Sequence, residues 1–386
     1  MKGIFKITFL FFLFLGNFHV SIAQTSLIPG AGQWESYMKL LEQENVGMVA
    51  HQASLINPDT HLIDTLLSLK VNIKKVFAPE HGFRGDADAG ENVADQKDLK
   101  TGLPIFSLYG SNKKPSKESL EGLSIMLFDL QDVGVRFYTY LSTLHYVMEA
   151  CAENRIPLVI LDRPNPNTHF TDGPILEKDC ESFVGMHPVP IVPGMTIGEY
   201  AKMINGERWL SEGIQCDLTI IPIKNYTHQT TYEIPIRPSP NLPNAHSIGL
   251  YPSLCLLEST LISIGRGTEM QFQIFGHPEL PQTGFSFTPQ PNYGSKNPKL
   301  NGQICHGIDL RNFERPKKIE LQWLIQAYRD FPDKEHFFKK SFYRIAGNKR
   351  LQKQLAQGMN EQQIRKTWER DLEKFGEIRK KYLIYP

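Results

Sequence analysis

The chain has 386 residues, and at roughly 100–200 residues per domain this length predicts two domains. Hydrophobic residues make up 41% and charged residues 22%, which excludes a disordered chain, a collagen-like chain and a polytopic membrane protein. The formal net charge of +1 provides no basic field for a polyanion, so nucleic acid is not an expected partner.

The first 23 residues have the pattern of a secretory signal peptide. Lys2 and Lys6 precede an apolar run at residues 7–15, and Ser-Ile-Ala at residues 21–23 places small side chains where a signal peptidase cuts. The run is shorter than the roughly 20 apolar residues of a membrane span. We therefore expect a mature chain that starts near Gln24, does not insert stably into a membrane, and is periplasmic or secreted.

Apolar runs alternate with helical patterns through the first half of the chain. The predicted strands are residues 46–50, 71–78, 124–128, 156–161 and 216–223. Leucines at residues 62–69 and apolar residues at 140–151 recur at helical spacing, and a capping box at 196–199 predicts another helix. This alternation predicts an α/β fold with a Rossmann-like, doubly wound parallel sheet.

The pattern changes after the last of these strands. Four prolines crowd residues 235–243 and exclude a helix there. Beyond them, residues 270–275 indicate a strand, residues 281–302 a long loop, and Asn360 the N-cap of a final helix. We predict a Rossmann-like catalytic domain at residues 24–215 and a smaller α+β domain at 216–386 that completes a cleft.

Polar side chains follow the predicted strands of the first half. They are His51, Gln52, Glu80, His81, Asp129, Gln131, Asp132, Asp162 and Arg163. Ligands of open parallel sheets bind at the carboxyl ends of the strands, so this convergence predicts a polar crevice.

Residues 78–85, Ala-Pro-Glu-His-Gly-Phe-Arg-Gly, combine a rigid proline and two turn-forming glycines with an acid, an imidazole and a guanidinium. Glu80 against a crevice wall would have a raised pKa and suit a general acid. Glu80 could equally be a loop carboxylate paired with Arg84, and the residue types alone do not separate the two interpretations.

Residues 129–140 offer a second carboxylate, from Asp129 or Asp132. Paired carboxylates suit glycoside hydrolysis, in which one protonates the leaving oxygen and the other assists the attack. Tyr138 could stack on a sugar, although core packing is the commoner fate of an aromatic ring. Arg136 could clamp an anionic substituent or pair with Asp132.

Other chemistries lack their motifs. Gly-Arg-Gly at residues 265–267 is a weak nucleotide signal without the G-x-G-x-x-G pattern, and no G-x-S-x-G, H-E-x-x-H or Walker motif occurs. An esterase or amidase is therefore disfavoured. The 5 cysteines form no C-x-x-C motif and the 12 histidines are scattered, so we expect no cofactor, no metal site and mostly buried thiols, with at most one disulfide.

Six segments, in order along nearly the whole mature chain, resemble the exo-acting β-N-acetylmuramidases, long catalogued as a domain of unknown function. They are residues 78–85, 129–140, 161–166, 237–243, 265–268 and 275–278. Met-Gln-Phe at residues 270–272 departs from the Pro-Phe pair expected there. The resemblance implies a cleft between two domains, peptidoglycan-derived muramyl glycans as partners, and release of terminal N-acetylmuramic acid (MurNAc) from their non-reducing ends.

The resemblance also implies that Glu80 protonates the glycosidic oxygen. Asp132 or Asp129 would steady an attacking water or the acetamido group of the substrate, with Glu91 as a competitor for this second role. The expected substrate-binding residues are His51, His81, Arg84, Glu91, Arg136, Tyr138, Arg163 and Arg266, since guanidinium groups bind a lactyl carboxylate bidentately. The alternative of a different class is an exported solute-binding protein for muramyl sugars, which would bind without turnover.

Overall fold

The computed structural model describes residues 26–84 and 96–386, so Glu91 and the amino-terminal 23 residues lie outside the described part. The strands are β1 Val46–Ala50, β2 Leu55–Asn57, β3 Thr60–His61, β4 Ile73–Ala78, β5 Gln96–Lys97, β6 Pro104–Ser107, β7 Ile125–Asp129, β8 Leu158–Leu161, β9 Leu218–Ile221, β10 Ile274–His277, β11 Ser286–Phe287 and β12 Cys305–Asp309. The helices are α1 Trp34–Leu41, α2 Leu62–Ser68, α3 Lys117–Leu120, α4 Tyr140–Asn154, α5 Ile197–Gly206, α6 Ala245–Glu258, α7 Leu321–Asp330, α8 Phe342–Ala346, α9 Arg350–Ala356, α10 Glu361–Lys366 and α11 Glu369–Lys380.

Seven strands form the central sheet in the order β5-β6-β4-β1-β7-β8-β9. All neighbours are parallel except β5, which pairs antiparallel with β6 at the edge. Counted along the chain, the six parallel strands have the spatial order 3-2-1-4-5-6 of the Rossmann fold. The predicted fold class is confirmed, and the order places the topological switch point between β1 and β7.

The sheet is buried on both faces, as a parallel sheet requires. Every residue of β1, β7 and β8 is buried. On one face, a single apolar core runs from the strands through α4 into α6, α7 and α8 of the C-terminal half. The other face packs against α1 and α2. Because the first core crosses both halves, the C-terminal half is fixed against the sheet rather than tethered to it.

Several local features differ from the sequence-based expectation. Strand β9 pairs with β8, so the sheet continues beyond the predicted boundary after residue 215. The strand expected at residues 270–275 begins only at Ile274, because Phe272 has φ 54° in a turn. The apolar stripe after Asn360 is divided between α10 and α11, and the capping box at Thr196 and the N-cap at Asn360 are confirmed.

All five cysteines lie in the described part and are free and buried, so none forms a disulfide. Among residues 26–84 and 96–386, we find no helix with the length and apolar character needed to cross a membrane.

The carboxyl ends of β8 and β9 are completed by residues far along the chain. The Tyr385 hydroxyl donates to Asp162 Oδ2 at 2.6 Å and accepts from the Ile223 N–H at 2.8 Å. The backbone N–H groups of Ile384 and Tyr385 donate to Glu199 Oε1. Burial raises the pKa of Asp162 to about 6, although the Tyr385 hydroxyl favours its ionised form.

The substitution Tyr385→Phe tests this contact. Because the pKa of Asp162 is raised on folding, its ionisation reduces stability as pH rises through about 6, and losing the hydroxyl donor adds to that cost. We expect the free energy of unfolding, from urea titration, to fall by about 1–3 kcal/mol at pH 8 and by less at pH 5. Tyr382→Phe, whose hydroxyl bonds the more accessible Glu207, is the control. A loss that is larger at pH 5 would contradict the account.

Candidate active site

A cavity of about 410 Å³ opens at the carboxyl ends of β4, β6 and β7. Its ionisable lining residues are Glu80, His81, Tyr109, Lys113, Tyr138, Tyr251, Cys255, Glu258 and Arg266. The first five come from the sheet domain and the last four from the C-terminal half. Apolar rings of both halves complete the wall, so residues from the two halves of the chain line the cavity together.

Glu80 is placed by the turn that ends β4. Pro79 follows the strand, and His81 and Gly82 then both have positive φ, 73° and 75°. This left-handed conformation is costly for a non-glycine residue and is seen mainly where surrounding structure imposes it, often at functional sites. The turn presents Glu80 and the buried His81 to the cavity.

Two hydroxyl groups lie beside the Glu80 carboxyl. Thr139 is the N-cap of α4, but its side chain makes no capping bond and instead donates to Glu80 Oε2 at 2.7 Å. The Tyr109 hydroxyl, on the loop after β6, lies close enough to this carboxyl to interact with it electrostatically. Burial and the Glu80 carboxylate raise the pKa of Tyr109, so it remains a protonated donor. The carboxyl is therefore flanked by two segments of the sheet domain.

His51 lies beneath the cavity wall rather than on it. Its Nε2 accepts from the Gln131 N–H at 2.9 Å, so the proton is on Nδ1, which lies 3.1 Å from the Tyr140 hydroxyl. That hydroxyl is 3.4 Å from the Glu80 carbonyl oxygen. Burial, followed by the charge of Arg163, lowers the pKa of His51 well below its usual value. A neutral His51 thus connects the ends of β1 and β7 to the Glu80 turn.

Asp129 and Arg163 form a buried bidentate ion pair at the switch point. Arg163 Nε and Nη2 donate to the two carboxylate oxygens at 2.6 and 2.8 Å, and Nη2 also donates to the Leu55 carbonyl at 2.8 Å. Neither side chain is among the described lining residues. The structure therefore gives these two predicted site residues partners inside the protein.

Asp132 is enclosed beside the cavity wall. Burial raises its pKa to about 7, against the favourable N–H groups of Gly134 and Val133. Gly134 donates to Oδ2 at 2.6 Å, while Oδ1 has no hydrogen-bond partner among the described residues. Its predicted catalytic role stays a prediction, because it is not one of the described residues that line the cavity.

Arg84 and Arg136 also contact other parts of the protein. Arg84 binds Asp98 with both Nε and Nη2, at 3.1 and 2.8 Å. Arg136 is buried and donates to three backbone carbonyls, those of Pro174, Val189 and Ile345. Their guanidinium groups stabilise the fold and do not face the described cavity.

Arg266 does line the cavity, together with a residue that the sequence analysis missed. Its Nε and Nη2 donate to the two carboxylate oxygens of Glu258 at 2.8 and 3.0 Å. Gly265 and Gly267 have φ 81° and 79°, and a Cβ on Gly267 would lie 2.6 Å from the Gln290 carbonyl oxygen. The Gly-Arg-Gly motif is therefore a turn that directs Arg266 toward Glu258.

The sequence analysis also missed several polar lining residues, among them Tyr109, Lys113, Thr139, Ser239 and Asn241. Thr139, Ser239 and Asn241 fall inside segments that carry the family resemblance, so that signal was available. Lys113 and Glu258 occur outside any motif, and only the folded arrangement places them at the cavity.

Solved structures share this architecture. A DUF1343 family protein from Bacteroides fragilis is 44% identical, with a TM-score of 0.88 over 94% of this chain and 99% of that chain. A second DUF1343 family protein from the same organism is 28% identical, with a TM-score of 0.81 over 93% of this chain and 99% of that chain.

The peptidoglycan β-N-acetylmuramidase NamZ of Bacillus subtilis is 38% identical over 377 residues, which cover 90% of this chain and 89% of that protein. Together with a cavity that carries carboxylates at the end of a Rossmann-like sheet, this relationship defines a glycoside hydrolase. Two family models match the chain. Exo-beta-N-acetylmuramidase NamZ, N-terminal, matches residues 46–246, and Exo-beta-N-acetylmuramidase NamZ, C-terminal, matches residues 249–385. The chain belongs to the exo-β-N-acetylmuramidase NamZ family, which confirms the resemblance seen in its sequence.

Removing one partner of the buried pair should unfold the switch point. In Arg163→Met, Asp129 is left as an uncompensated buried charge, and we expect the free energy of unfolding to fall by about 3–5 kcal/mol in urea titrations. Arg311→Met, which breaks an accessible pair with Asp309, should cost less than about 1 kcal/mol. Equal losses in the two variants would show that the buried pair has no special role.

Removing the Thr139 hydroxyl should impair catalysis without unfolding. We expect Thr139→Val to lower kcat on a β-muramide by about 10-fold, with KM changed less, because one hydrogen bond to the Glu80 carboxyl is lost. Thr139→Ser keeps the hydroxyl and should stay within about threefold of the unaltered protein. Equal losses in Val and Ser variants would assign the effect to packing.

Proposed function

We propose that this chain hydrolyses the β-glycosidic bond of a terminal MurNAc residue at the non-reducing end of peptidoglycan fragments. The observation that carries the proposal is the Glu80 carboxyl, held at the cavity by Thr139 beside Tyr109. A cavity of about 410 Å³ lies within the roughly 300–1,000 Å³ of small-molecule sites, which suits removal of one terminal sugar.

Glu80 acts as the general acid in this proposal. It donates its proton to the glycosidic oxygen as the bond to the leaving sugar breaks, and a water molecule supplies the hydroxyl group at the anomeric carbon and the proton that restores the acid. A threonine hydroxyl both donates and accepts hydrogen bonds, so Thr139 can stay bonded to the carboxyl in either protonation state. The Thr139 hydroxyl thus keeps the acid oriented through the whole cycle.

Glu258 is the other acidic side chain among the described lining residues. Burial disfavours its charge, but Arg266 outweighs burial and lowers the pKa of Glu258. Because the charge of Glu258 is balanced by Arg266, the two side chains form a neutral polar pair on the wall of the cavity. Asp129 and Asp132 remain enclosed in the sheet domain, so Glu80 is the acidic side chain of the described lining to which we assign a catalytic role.

The location follows from the amino-terminal sequence. A positive start, an apolar run and small residues before Gln24 favour export, which would bring the protein to the compartment that holds peptidoglycan. Export to the periplasm or the medium is therefore part of the proposal.

The substitution Glu80→Gln tests the role of the acid on two substrates. On the disaccharide MurNAc-β-1,4-N-acetylglucosamine, we expect kcat/KM to fall roughly 100–10,000-fold, the usual contribution of general acid catalysis. On p-nitrophenyl β-MurNAc, the fall should be much smaller, because p-nitrophenolate leaves without protonation. Release of free sugar and of p-nitrophenol measures the two rates.

Glu335→Gln, at an exposed glutamate, is the matched control and should keep full activity on both substrates. Full activity of Glu80→Gln on the disaccharide would exclude Glu80 as the acid. Cleavage of neither substrate by the unaltered protein would refute the glycosidase itself.

A further inference from the structure

We infer that Lys113 binds the lactyl carboxylate of MurNAc and so determines the selection of MurNAc over N-acetylglucosamine. The inference rests on the proposed function and adds a specificity-determining residue to it. MurNAc differs from N-acetylglucosamine by a lactyl ether on C3, which carries one negative charge at neutral pH. A site that distinguishes the two sugars by charge therefore needs a cation that is available to the ligand.

Two cationic side chains line the described cavity. Lys113 and Arg266 are the lysine and arginine side chains among its described lining residues. Arg266 is already neutralised by the bidentate contact with Glu258. Lys113 makes no ion pair with any described residue and is half-buried. It is thus the cavity cation whose charge is free for a substrate anion.

The other arginines that the sequence suggested for binding the lactyl carboxylate already have partners within the protein. Arg84 is bound by Asp98, Arg163 by Asp129, and Arg136 by backbone carbonyls. None of these guanidinium groups lines the described cavity. A carboxylate that reached any of them would have to displace a partner held in the fold.

The ammonium group of Lys113 lies on the same wall of the cavity as Glu80. Lys113 Nζ lies 4.8 Å from the centroid of the Phe183 ring, a cation–π contact that holds the side chain at the wall. Phe183 also contacts Tyr109, with ring centroids 6.0 Å apart, and Tyr109 lines the cavity close to Glu80. Lys113 and Glu80 therefore belong to one continuous wall of the cavity.

This arrangement matches the chemistry of the sugar. C3 is separated from the anomeric carbon by one ring atom, so a lactyl group is carried close to the bond that is cut. A sugar with its anomeric oxygen at Glu80 can extend the lactyl carboxylate along the same wall, toward Lys113. A sugar without this carboxylate would leave the half-buried ammonium group without a partner.

The test uses Lys113→Met, which keeps the length and apolar body of the side chain and removes the charge. Two p-nitrophenyl β-glycosides are compared, one of MurNAc and one of its lactyl methylamide, which is neutral. The unaltered protein should prefer the acid, and Lys113→Met should lower kcat/KM for the acid by about 10–100-fold, the range of a hydrogen bond to a charged group. The methylamide should be cleaved at nearly the same rate by both proteins.

Lys113→Arg keeps the charge and should recover part of the preference for the acid. Lys353→Met, at an exposed lysine outside the cavity, should match the unaltered protein. A Lys113→Met variant that keeps the full preference would overturn the inference, even with cleavage intact.

Binding separates this inference from the proposed function. Calorimetric titration of the Glu80→Gln variant with free MurNAc and with its methylamide, with and without Lys113→Met, needs no turnover. A preference for MurNAc that disappears with Lys113→Met supports the inference, even if the unaltered protein cleaves nothing. Equal preference in both backgrounds contradicts it, even if the protein is an active glycosidase.

Discussion

The buried ion pair between Asp129 and Arg163 holds together the strand ends on which the cavity is built. Asp129 is the last residue of β7, Arg163 follows β8, and the same guanidinium reaches the Leu55 carbonyl in β2, just after β1. At a switch point the connections of adjacent strands leave in opposite directions, which opens a crevice that side chains must bridge. Taking two charges out of water is costly, and bidentate geometry together with a third acceptor offsets that cost.

The polar residues at the strand ends divide into two sets with different roles. His51, Asp129, Asp162 and Arg163 are buried and bond to one another, to backbone groups or to buried hydroxyl groups of the fold. Glu80 and its neighbour His81 instead face the cavity. The first set fixes the loops, and the second set uses that rigidity, because a catalytic carboxyl is effective only when its orientation is maintained.

The strands could be predicted from the sequence where the apolar runs had clear ends. Strand β1 occupies the predicted residues, β7 is shifted by one residue, and β4, β8 and β9 are slightly shorter than predicted. Helix α6 was missed because it is apolar on all sides and contains Pro252, so no helical period shows. The short β6 was missed as well, since it begins at a proline and has only four residues.

The residues of the site could be predicted only in part, for a different physical reason. Glu80 stands in a distinctive segment, so its position at a strand end and its family resemblance agreed. The sequence could not separate substrate-binding arginines from structural ones, because an arginine that binds substrate and one that binds an aspartate have the same sequence signature. Glu258 and Lys113 lie outside the resembling segments, and only the folded arrangement places them at the cavity.

The contact between Tyr385 and Asp162 spans 223 residues of chain. The buried Asp162 carboxyl, which follows β8, can therefore acquire its hydroxyl donor only after nearly all of the described chain has been synthesised. Contacts of such long sequence separation slow folding, because the intervening chain must first be closed into a loop. Because this partner is Tyr385, a chain shortened before that residue would leave the buried Asp162 without its hydroxyl donor, although every strand of the sheet would still be present.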